Sequence, residues 1–482
     1  MHKVLIFVFL FVFQLPAIAQ PADVEALLRR EMQERRIPGL QVAVVQNQRI
    51  VLLKSFGIAD LQHSIPTTNK TVFPIYSCTK AFTGVAIMQL VEEGKIDLSA
   101  PVSRYLDGLP ETWQPVTIRQ LLTHVSGLPN VLTVLDPVSY GLPRGMSEEQ
   151  VWTKLKSMPI SSAPGERFSY NQTNYALLGK IIDKLSARPF VETFHERQFR
   201  PAGMKSTGFG DSRDVVKNSA STYRYVNSLD GDKPGPERLI KDYAEFPSFR
   251  RTASGMNSTA EDLAHWLIAL QQGKLLKSKA SLDTLWKPGT YNNGESTLWA
   301  IGWMTKPHSK HRSVLATGGS RAAFSVYPED DLAVIVLTNL VGAYPEEFID
   351  ELAGYYKPKV AAADPVTALR TELRKRGYQH AIDLFKELKL KNPDFQPSEN
   401  DLNDWAYRML NGRGQPKEAL EIFKLNVYLY PNRANVYDSV AEAYAANGER
   451  ELAIKNYKRS LELDPKNLNA VQQLKKLDPT YK

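Results

Sequence analysis

The sequence contains a single cysteine, Cys78, among its 482 residues. An intramolecular disulfide is therefore excluded, and the fold must be stabilised by its core. The histidines also lack the spacing of a metal-binding cluster, so we expect no metal and no other cofactor. Cys78 itself is expected to be a small buried residue at the start of a core helix.

A concentrated basic segment is lacking as well. The formal net charge is +8, from 60 Lys and Arg against 52 Asp and Glu, and the excess is spread along the chain. Nucleic-acid binding usually needs a basic patch or stripe, so no nucleic-acid partner is expected. The hydrophobic content of 43% and charged content of 23% are typical of a folded globular protein.

Long apolar runs are restricted to the first twenty residues. Residues 4–13 are uniformly apolar and follow Lys3, and Pro16 and the small residues of 17–19 come next. This order is typical of a secretory signal peptide, which we place at residues 1–19. The run is short for a transmembrane helix, although an uncleaved anchor is the alternative. The sequence thus predicts a secreted or periplasmic protein with no stable membrane anchor.

Residues 20–356 are predicted to form the main domain. Strands are predicted near both of its ends, at 40–45, 49–56, 314–316, 323–327 and 332–339. Helices are predicted at 23–36 and 80–94. Strands at both ends with helices between them indicate an antiparallel sheet joined to a helical region. The predicted fold class is therefore α+β.

The composition changes at residues 357–364, which are rich in Ala and Pro and are predicted to be a linker. Residues 365–482 are helical in pattern, with helices predicted at 401–410, 416–429, 434–446 and 450–463. Several residues recur after 34 positions, namely Gly414 and Gly448, Ala419 and Ala453, and Pro431 and Pro465. A 34-residue period is typical of tetratricopeptide repeats, which stack into a concave surface. The alternatives are a docking surface for a protein or peptide partner and a helical brace for the main domain.

The most informative short pattern is Ser77-Cys78-Thr79-Lys80, which stands at the start of an apolar stretch. Residues three apart lie on one face of a helix, so a helix that begins near Ser77 places the Lys80 amine beside the serine hydroxyl. A serine becomes a strong nucleophile when a neighbouring group takes its proton. The helix amino terminus also favours negative charge on the serine oxygen.

Two further segments carry groups that fit such a site. Tyr170 stands two positions before the amide of Gln172, and a Thr-Gly-Gly segment at 317–319 lies between two predicted strands. Glycine lets a substrate approach the backbone closely and leaves an N–H group free. The N–H groups of Ser77 and Gly319 are therefore predicted to form an oxyanion hole.

Together these segments resemble the class C β-lactamases and penicillin-binding-protein-like serine hydrolases, a family that includes esterases and D-aminopeptidases. The resemblance spans about residues 23–355. It rests on an ordered set of similar stretches at 77–80, 94–98, 118–128, 170–172, 253–263 and 316–319. The implied fold is that of the β-lactamases and transpeptidases.

The resemblance implies acyl transfer, in which Ser77 attacks a carbonyl to form an acyl-enzyme that water releases. Lys80 and Tyr170 share the proton transfers, and the sequence leaves open which is the base and which is the acid. The expected substrate is an ester, a peptide ending in a D-amino acid, or a β-lactam. The residues expected to bind it are Gln172, Thr317, Gly318 and Arg321.

Two positions depart from the family pattern. Gln172 stands where Asn is usual, so its amide reaches one methylene further. Ala316 stands where Lys or His is usual, and the lost donor to a substrate carboxylate is worth roughly 1.5–3 kcal/mol, which ranks β-lactamase activity below general hydrolase activity. Arg321 is a candidate to supply the charge instead, although a surface arginine is the expectation that the sequence favours. The alternative function is a non-catalytic or slowly acylating binding or sensor protein that uses the repeats for docking.

Overall fold

The computed structural model of the protein describes residues 21–230, 233–306, 311–478 and 481. The predicted signal peptide at 1–19 lies outside the described residues. Along the chain the strands are β1 (Gly39–Gln46), β2 (Arg49–Asp60), β3 (Ile65–Pro66), β4 (Phe73–Pro74), β5 (Gly208–Phe209), β6 (Tyr223–Asp230), β7 (Lys233–Lys241), β8 (Met256–Ser258), β9 (Met304–Lys306), β10 (Ser313–Gly318), β11 (Ala322–Tyr327) and β12 (Leu332–Thr338).

The helices before residue 358 surround the main sheet or lie beyond one end of it. They are α1 (Pro21–Glu34), α2 (Thr79–Glu92), α3 (Ile118–Leu122), α4 (Glu148–Lys156), α5 (Gln172–Ser186), α6 (Phe190–Phe194), α7 (Arg200–Ala202), α8 (Arg251–Ser254), α9 (Ala260–Gln271), α10 (Lys279–Leu285) and α11 (Ile349–Gly354). The remaining helices are α12 (Pro358–Ala363), α13 (Pro365–Arg376), α14 (Ala381–Lys391), α15 (Glu399–Tyr407), α16 (Pro416–Leu429), α17 (Ala434–Ala446), α18 (Arg450–Leu463) and α19 (Leu468–Leu477).

The main sheet has seven strands in the order β3-β2-β1-β12-β11-β10-β9, and its neighbouring strands are antiparallel. The first strand, β1, pairs with β12 in a register that sets Leu40 opposite Thr338. The α+β prediction is confirmed, because the strands near both ends of the main segment form one sheet. This closure brings β10, with its terminal glycine, beside the start of α2.

Both faces of the sheet are covered, and β1 shows this in its sequence. Ala43 and Val45 pack into the core that contains α2, whereas Val42 and Val44 pack into the opposite core beneath α1 and α11. Alternate residues of a strand point to opposite faces, so a strand buried on both sides is apolar throughout. The helix α2 is likewise buried from Thr79 to Met88, and it crosses the middle of the larger core.

The C-terminal helices follow the predicted pattern closely. Three of the predicted helices coincide with α16, α17 and α18. Gly414 and Gly448, which are 34 positions apart, each have a positive φ in the turn before the next helix, at 62° and 80°. Such a conformation favours glycine because it has no Cβ atom. The recurrence in sequence is therefore also a recurrence of backbone geometry.

The segment predicted as a linker forms the short helix α12 and is anchored to the main domain. Lys306 of β9 contacts Asp350 at 2.5 Å and Asp364 at 3.1 Å. A second ion cluster joins α1 to α13, because Arg374 contacts Glu31 at 2.7 Å. The C-terminal helices are thus held against the main domain at defined points. Among the helices of the described ranges, none has the length and apolar content needed to cross a bilayer.

Candidate active site

The site begins at a single helical turn, Tyr76–Cys78, that precedes α2. Helical backbone thus begins at Tyr76, close to the start near Ser77 considered from the sequence, and the helix predicted at 80–94 is α2, Thr79–Glu92. The Thr79 hydroxyl donates to the Tyr76 carbonyl at 2.6 Å and holds the turn. Ser77 is only partly buried and lines an open cleft, whereas Cys78 beside it is buried. Tyr76 and Ser77 are thus the members of this turn that border the cleft.

Lys80 lies one turn further on, behind the serine and fully buried. Its Nζ atom is 3.2 Å from Ser77 Oγ, 3.0 Å from Gln172 Oε1 and 2.8 Å from the Ala253 carbonyl oxygen. Burial lowers the pKa of the Lys80 amine well below its ordinary value, and the Arg250 guanidinium lowers it further. The amine is therefore driven toward its neutral form.

Tyr170 completes the cluster from the loop before α5. Its ring centre is 4.7 Å from Lys80 Nζ. Burial raises the pKa of Tyr170, and the neighbouring side chains of Ser77 and Gln172 oppose that shift only in part. The phenol is accordingly protonated at neutral pH.

The His124 ring packs against Tyr170 and contacts the backbone of the next residue. The two ring centres lie 4.5 Å apart, and the His124 Nδ1 atom accepts the Asn171 N–H at 3.1 Å. Burial lowers the pKa of His124 well below its ordinary value, so the ring is neutral and can accept that bond. His124 therefore positions the segment that carries Tyr170 and Gln172.

Gln172 is the first residue of α5, and its side chain is buried. The sequence predicted that its amide binds substrate. In the structure the amide oxygen accepts a hydrogen bond from Lys80 at 3.0 Å. Gln172 also lines the cleft beside Ser77, so it borders both Lys80 and the open space of the cleft.

The end of β10 faces the serine turn at very close range. A Cβ atom at Gly318 would lie 1.9 Å from the Ile75 carbonyl oxygen, so only glycine fits there. Gly319 follows with a φ of 54°, is exposed, and lines the cleft beside Ser77. Its N–H has no hydrogen-bond partner among the described residues. The structure thus brings the two predicted oxyanion-hole residues to one wall.

Thr317 and Gly318 themselves are not among the described residues that line the cleft. The Thr317 hydroxyl faces the Met304 sulfur at 3.9 Å. Ala316 is buried within β10, at the position where the family pattern has a cation. The strand therefore offers the cleft a backbone edge in place of a charged side chain.

Arg321 is buried, so the expectation of a surface arginine is wrong. Its Nη2 atom is 2.7 Å from Asp242 Oδ2, and its Nε atom donates to the Gly319 carbonyl at 3.1 Å. Arg224 contacts the other oxygen of Asp242 at 2.6 Å. The charge of Arg321 is thus shared with an internal carboxylate, and the side chain braces the turn that presents Gly319.

Two residues of the site were missed in the sequence, Arg250 and Asp242. Arg250 ends the turn Ser248–Arg250 immediately before α8, is only 3% exposed, and lines the cleft with Ser77. The pair Arg250-Arg251 stands three residues before the 253–263 stretch, and nothing in its spacing distinguishes it from other basic pairs. Asp242 is likewise one acidic residue among 52. Only the fold shows that they share a cleft.

The cleft that contains Ser77 has a volume of about 270 Å³. A larger depression of about 460 Å³ lies beside Trp152 and Lys180 and contains none of the predicted site residues. Within the described ranges, no group of three or more potential metal ligands comes together. Of the predicted site residues, Ser77, Gln172, Gly319 and Arg321 line the smaller cleft.

Comparison with known proteins places these features in a family context. The family description that matches is Beta-lactamase, over residues 24–354. The curated Protein flp of Staphylococcus aureus (strain MW2) is 27% identical over 340 residues, which cover 68% of this chain and 65% of the relative. The chain thus spans slightly less than two thirds of that relative's length.

Solved structures share the architecture. The octameric penicillin-binding protein homologue from Pyrococcus abyssi is 26% identical, with a TM-score of 0.61, and covers 73% of this chain and 81% of its own. The D-amino acid amidase from Ochrobactrum anthropi SV3, complexed with L-phenylalanine amide, is 23% identical, with a TM-score of 0.58. It covers 71% of this chain and 98% of its own, and this second likeness concerns the fold alone.

Proposed function

The chain belongs to the β-lactamase family, and from that premise we propose that it is a serine hydrolase acting through an acyl-enzyme on Ser77. One observation carries the proposal. Lys80 is fully buried, which favours its neutral form, and its Nζ atom lies 3.2 Å from the accessible Ser77 Oγ. That is the pairing a serine needs to become nucleophilic.

The other contacts of Lys80 support its role as the base. The Gln172 amide oxygen and the Ala253 carbonyl oxygen can only accept hydrogen bonds. A neutral amine has two N–H groups and one lone pair. When the two N–H groups bond these oxygens, the lone pair is left facing Ser77 and can take its proton.

The reaction then proceeds as follows. Ser77 Oγ attacks the substrate carbonyl while its proton passes to Lys80 Nζ, and the N–H groups of Ser77 and Gly319 stabilise the oxygen that becomes negative. Tyr170, which stays protonated, donates its proton to the leaving group as the carbonyl–leaving-group bond breaks. Tyr170 is then a phenolate beside the Lys80 ammonium. The ammonium transfers the proton it took from Ser77 to the Tyr170 oxygen, which restores both groups. Water attacks the acyl-enzyme in the reverse sequence and releases Ser77.

For the substrate we propose an ester, or an amide or peptide of a D-amino acid, ahead of a β-lactam. The absence of a cation at Ala316 removes a recognition group for β-lactam carboxylates from β10. The Ochrobactrum amidase, whose fold is similar, is named for D-amino acid amides. We also propose that the protein is exported, on the basis of the signal-like first nineteen residues.

Steady-state kinetics with 4-nitrophenyl acetate test the proposal. The expected result is hydrolysis of many substrate molecules per enzyme, lost in Ser77→Ala. The competing function is a slowly acylating sensor, which Ala316 and Gln172 favour because both depart from the family pattern. A sensor would release about one nitrophenolate per chain and then stop, and that result would overturn the hydrolase proposal.

A further inference from the structure

Arg250 is a buried cation that has no carboxylate partner among the residues the structure describes. Its side chain lines the cleft, yet no Asp or Glu of the described residues lies within ion-pair distance of it. Its Nη2 atom donates to the Glu245 carbonyl at 3.1 Å, while its Nε atom is buried without a hydrogen-bond partner. Burying a charge is costly unless the charge is paired. A buried and unpaired guanidinium facing a cleft is therefore a group prepared for an external anion.

The other arginines of the cleft do not share this property. Arg321 and Arg224 both contact Asp242, which neutralises part of their charge. Three arginines and one aspartate line the cleft, so its walls carry a positive excess. Arg250 accounts for the part of that excess that has no counterion in the structure.

The surroundings of Arg250 fix its direction. Its guanidinium lies 4.8 Å from the Phe246 ring centre and 6.0 Å from the Tyr140 ring centre. The Phe246 ring thus packs against the guanidinium, and the Tyr140 ring lies further out. Three residues later the same segment supplies the Ala253 carbonyl to Lys80. The segment 250–253 thus contacts Lys80 through the Ala253 carbonyl and lines the cleft through Arg250.

We propose that Arg250 is a specificity-determining residue that binds a carboxylate carried by the substrate, while Ser77 attacks the carbonyl of the same molecule. The proposal rests on the proposed function of Ser77 and names a substrate class for it, namely acidic esters or amides. A guanidinium binds a carboxylate through two parallel N–H groups, which makes this recognition directional. Arg250 lies in the turn Ser248–Arg250, away from β10, so it would hold a carboxylate at a different place from a cation at position 316.

Arg250 also has an effect on Lys80, and the test has to separate the two. The Arg250 charge lowers the pKa of the Lys80 amine, so its removal alters catalysis on every substrate. Carboxylate binding, in contrast, alters only the ratio between acidic and neutral substrates. The ratio is therefore the quantity to measure.

Two matched substrate pairs are suitable. The first pair carries the carboxylate on the acyl side, mono-4-nitrophenyl glutarate against 4-nitrophenyl butyrate. The second carries it on the leaving group, 3-carboxyphenyl acetate against phenyl acetate. In the wild-type protein we expect at least one pair to show a higher kcat/KM for the acidic member.

Arg250→Gln is expected to lower that ratio by roughly 10- to 100-fold, the size of a charge-assisted hydrogen bond. Arg250→Lys keeps the charge without the planar fork and is expected to retain part of the preference. Arg200→Gln removes an equal charge from an exposed site and is expected to leave the ratio unchanged. A ratio in Arg250→Gln within twofold of the wild-type value for both pairs would overturn the proposal.

A binding measurement separates failure of this inference from failure of the hydrolase proposal. Calorimetry of benzoate and benzamide with Ser77→Ala requires no turnover. We expect benzoate to bind more tightly than benzamide, and the difference to vanish in Ser77→Ala/Arg250→Lys or Ser77→Ala/Arg250→Gln, whichever folds. Equal binding of both compounds to Ser77→Ala would refute the carboxylate subsite even if the wild-type enzyme hydrolyses neutral esters.

Discussion

Lys80 Nζ lies 3.2 Å from Ser77 Oγ, and the lysine side chain is completely shielded from solvent. The shielding matters as much as the distance. A solvated lysine at neutral pH is charged and cannot accept a proton, whereas burial favours the neutral amine. The larger core around α2 therefore has a chemical consequence in addition to a structural one.

Replacing Lys80 with Met should remove the base while keeping the volume of the side chain. We expect kcat for 4-nitrophenyl acetate to fall on the order of 10³-fold, in the range of general base catalysis. Lys205→Met, at an exposed position, is the matched control and should retain activity. Stopped-flow and steady-state assays check this, and a loss below fivefold in Lys80→Met would show that another group activates the serine.

The same lysine predicts a pH dependence of stability. Its pKa is lowered in the folded protein, so between that value and the ordinary 10.5 the unfolded chain binds a proton that the folded chain does not. Stability therefore rises with pH across this window and falls as pH decreases. Urea denaturation of the wild type and Lys80→Met at pH 7 and pH 9.5 measures the effect. The wild type should gain more stability than the variant, and equal gains would contradict a neutral Lys80.

Gly318→Ala tests the contact that holds β10 against the serine turn. The added Cβ atom would meet the Ile75 carbonyl oxygen, and relieving that clash should cost about 1–3 kcal/mol of stability. It should also displace Gly319 and lower kcat. Gly208→Ala, where an added Cβ meets nothing within 4 Å, is the control and should change neither. Thermal denaturation and kcat are measured for both variants. A fully active Gly318→Ala protein would show that the contact between Gly318 and Ile75 is not needed for activity.

Glu31 is the buried centre of the ion cluster between α1 and α13. It lies 2.8 Å from Arg35 and 2.7 Å from Arg374. Burial raises the pKa of its carboxyl, but these arginines outweigh burial and the net pKa is lowered. The contacts of Glu31 with Arg35 and Arg374 therefore stabilise the fold above about pH 5. This contribution is lost as the pH falls toward the lowered pKa of Glu31.

Glu31→Gln removes the charge-assisted contacts of Glu31, while Arg35 keeps Glu347 and Arg374 keeps Glu34 and Glu351. The loss should cost about 1.5–3 kcal/mol of stability. Limited proteolysis should then release the C-terminal helices sooner than in the wild type. Glu25→Gln, on the exposed side of the same helix, should behave like the wild type. Unchanged proteolysis of Glu31→Gln would mean that other contacts hold the two parts together.

The sequence was informative where one short pattern determines both structure and chemistry. The Ser77 and Lys80 spacing within a helical turn predicts their contact because the helix geometry is local. Periodicity likewise predicted α16, α17 and α18 with their bounds. In each case the deciding interactions lie within a few residues or one repeat.

Interactions across the fold were not predictable in this way. Asp242 lies 79 positions from Arg321, and Arg250 reaches the cleft only because α8 packs beside α2 and α5. The contact of Gln172 with Lys80 was not predicted for the same reason, since it spans 92 positions. A single sequence carries no signal for such pairings, because many residues of the same type are equally placed along the chain.

The most direct test of the central claim is to locate the acyl group. The protein would be incubated with a fluorophosphonate probe at pH 8, digested, and analysed by mass spectrometry. The account predicts one adduct per chain on the peptide that contains Ser77, strongly slowed in Lys80→Met and absent in Ser77→Ala. An adduct on a different residue, or undiminished labelling of Ser77→Ala, would contradict it.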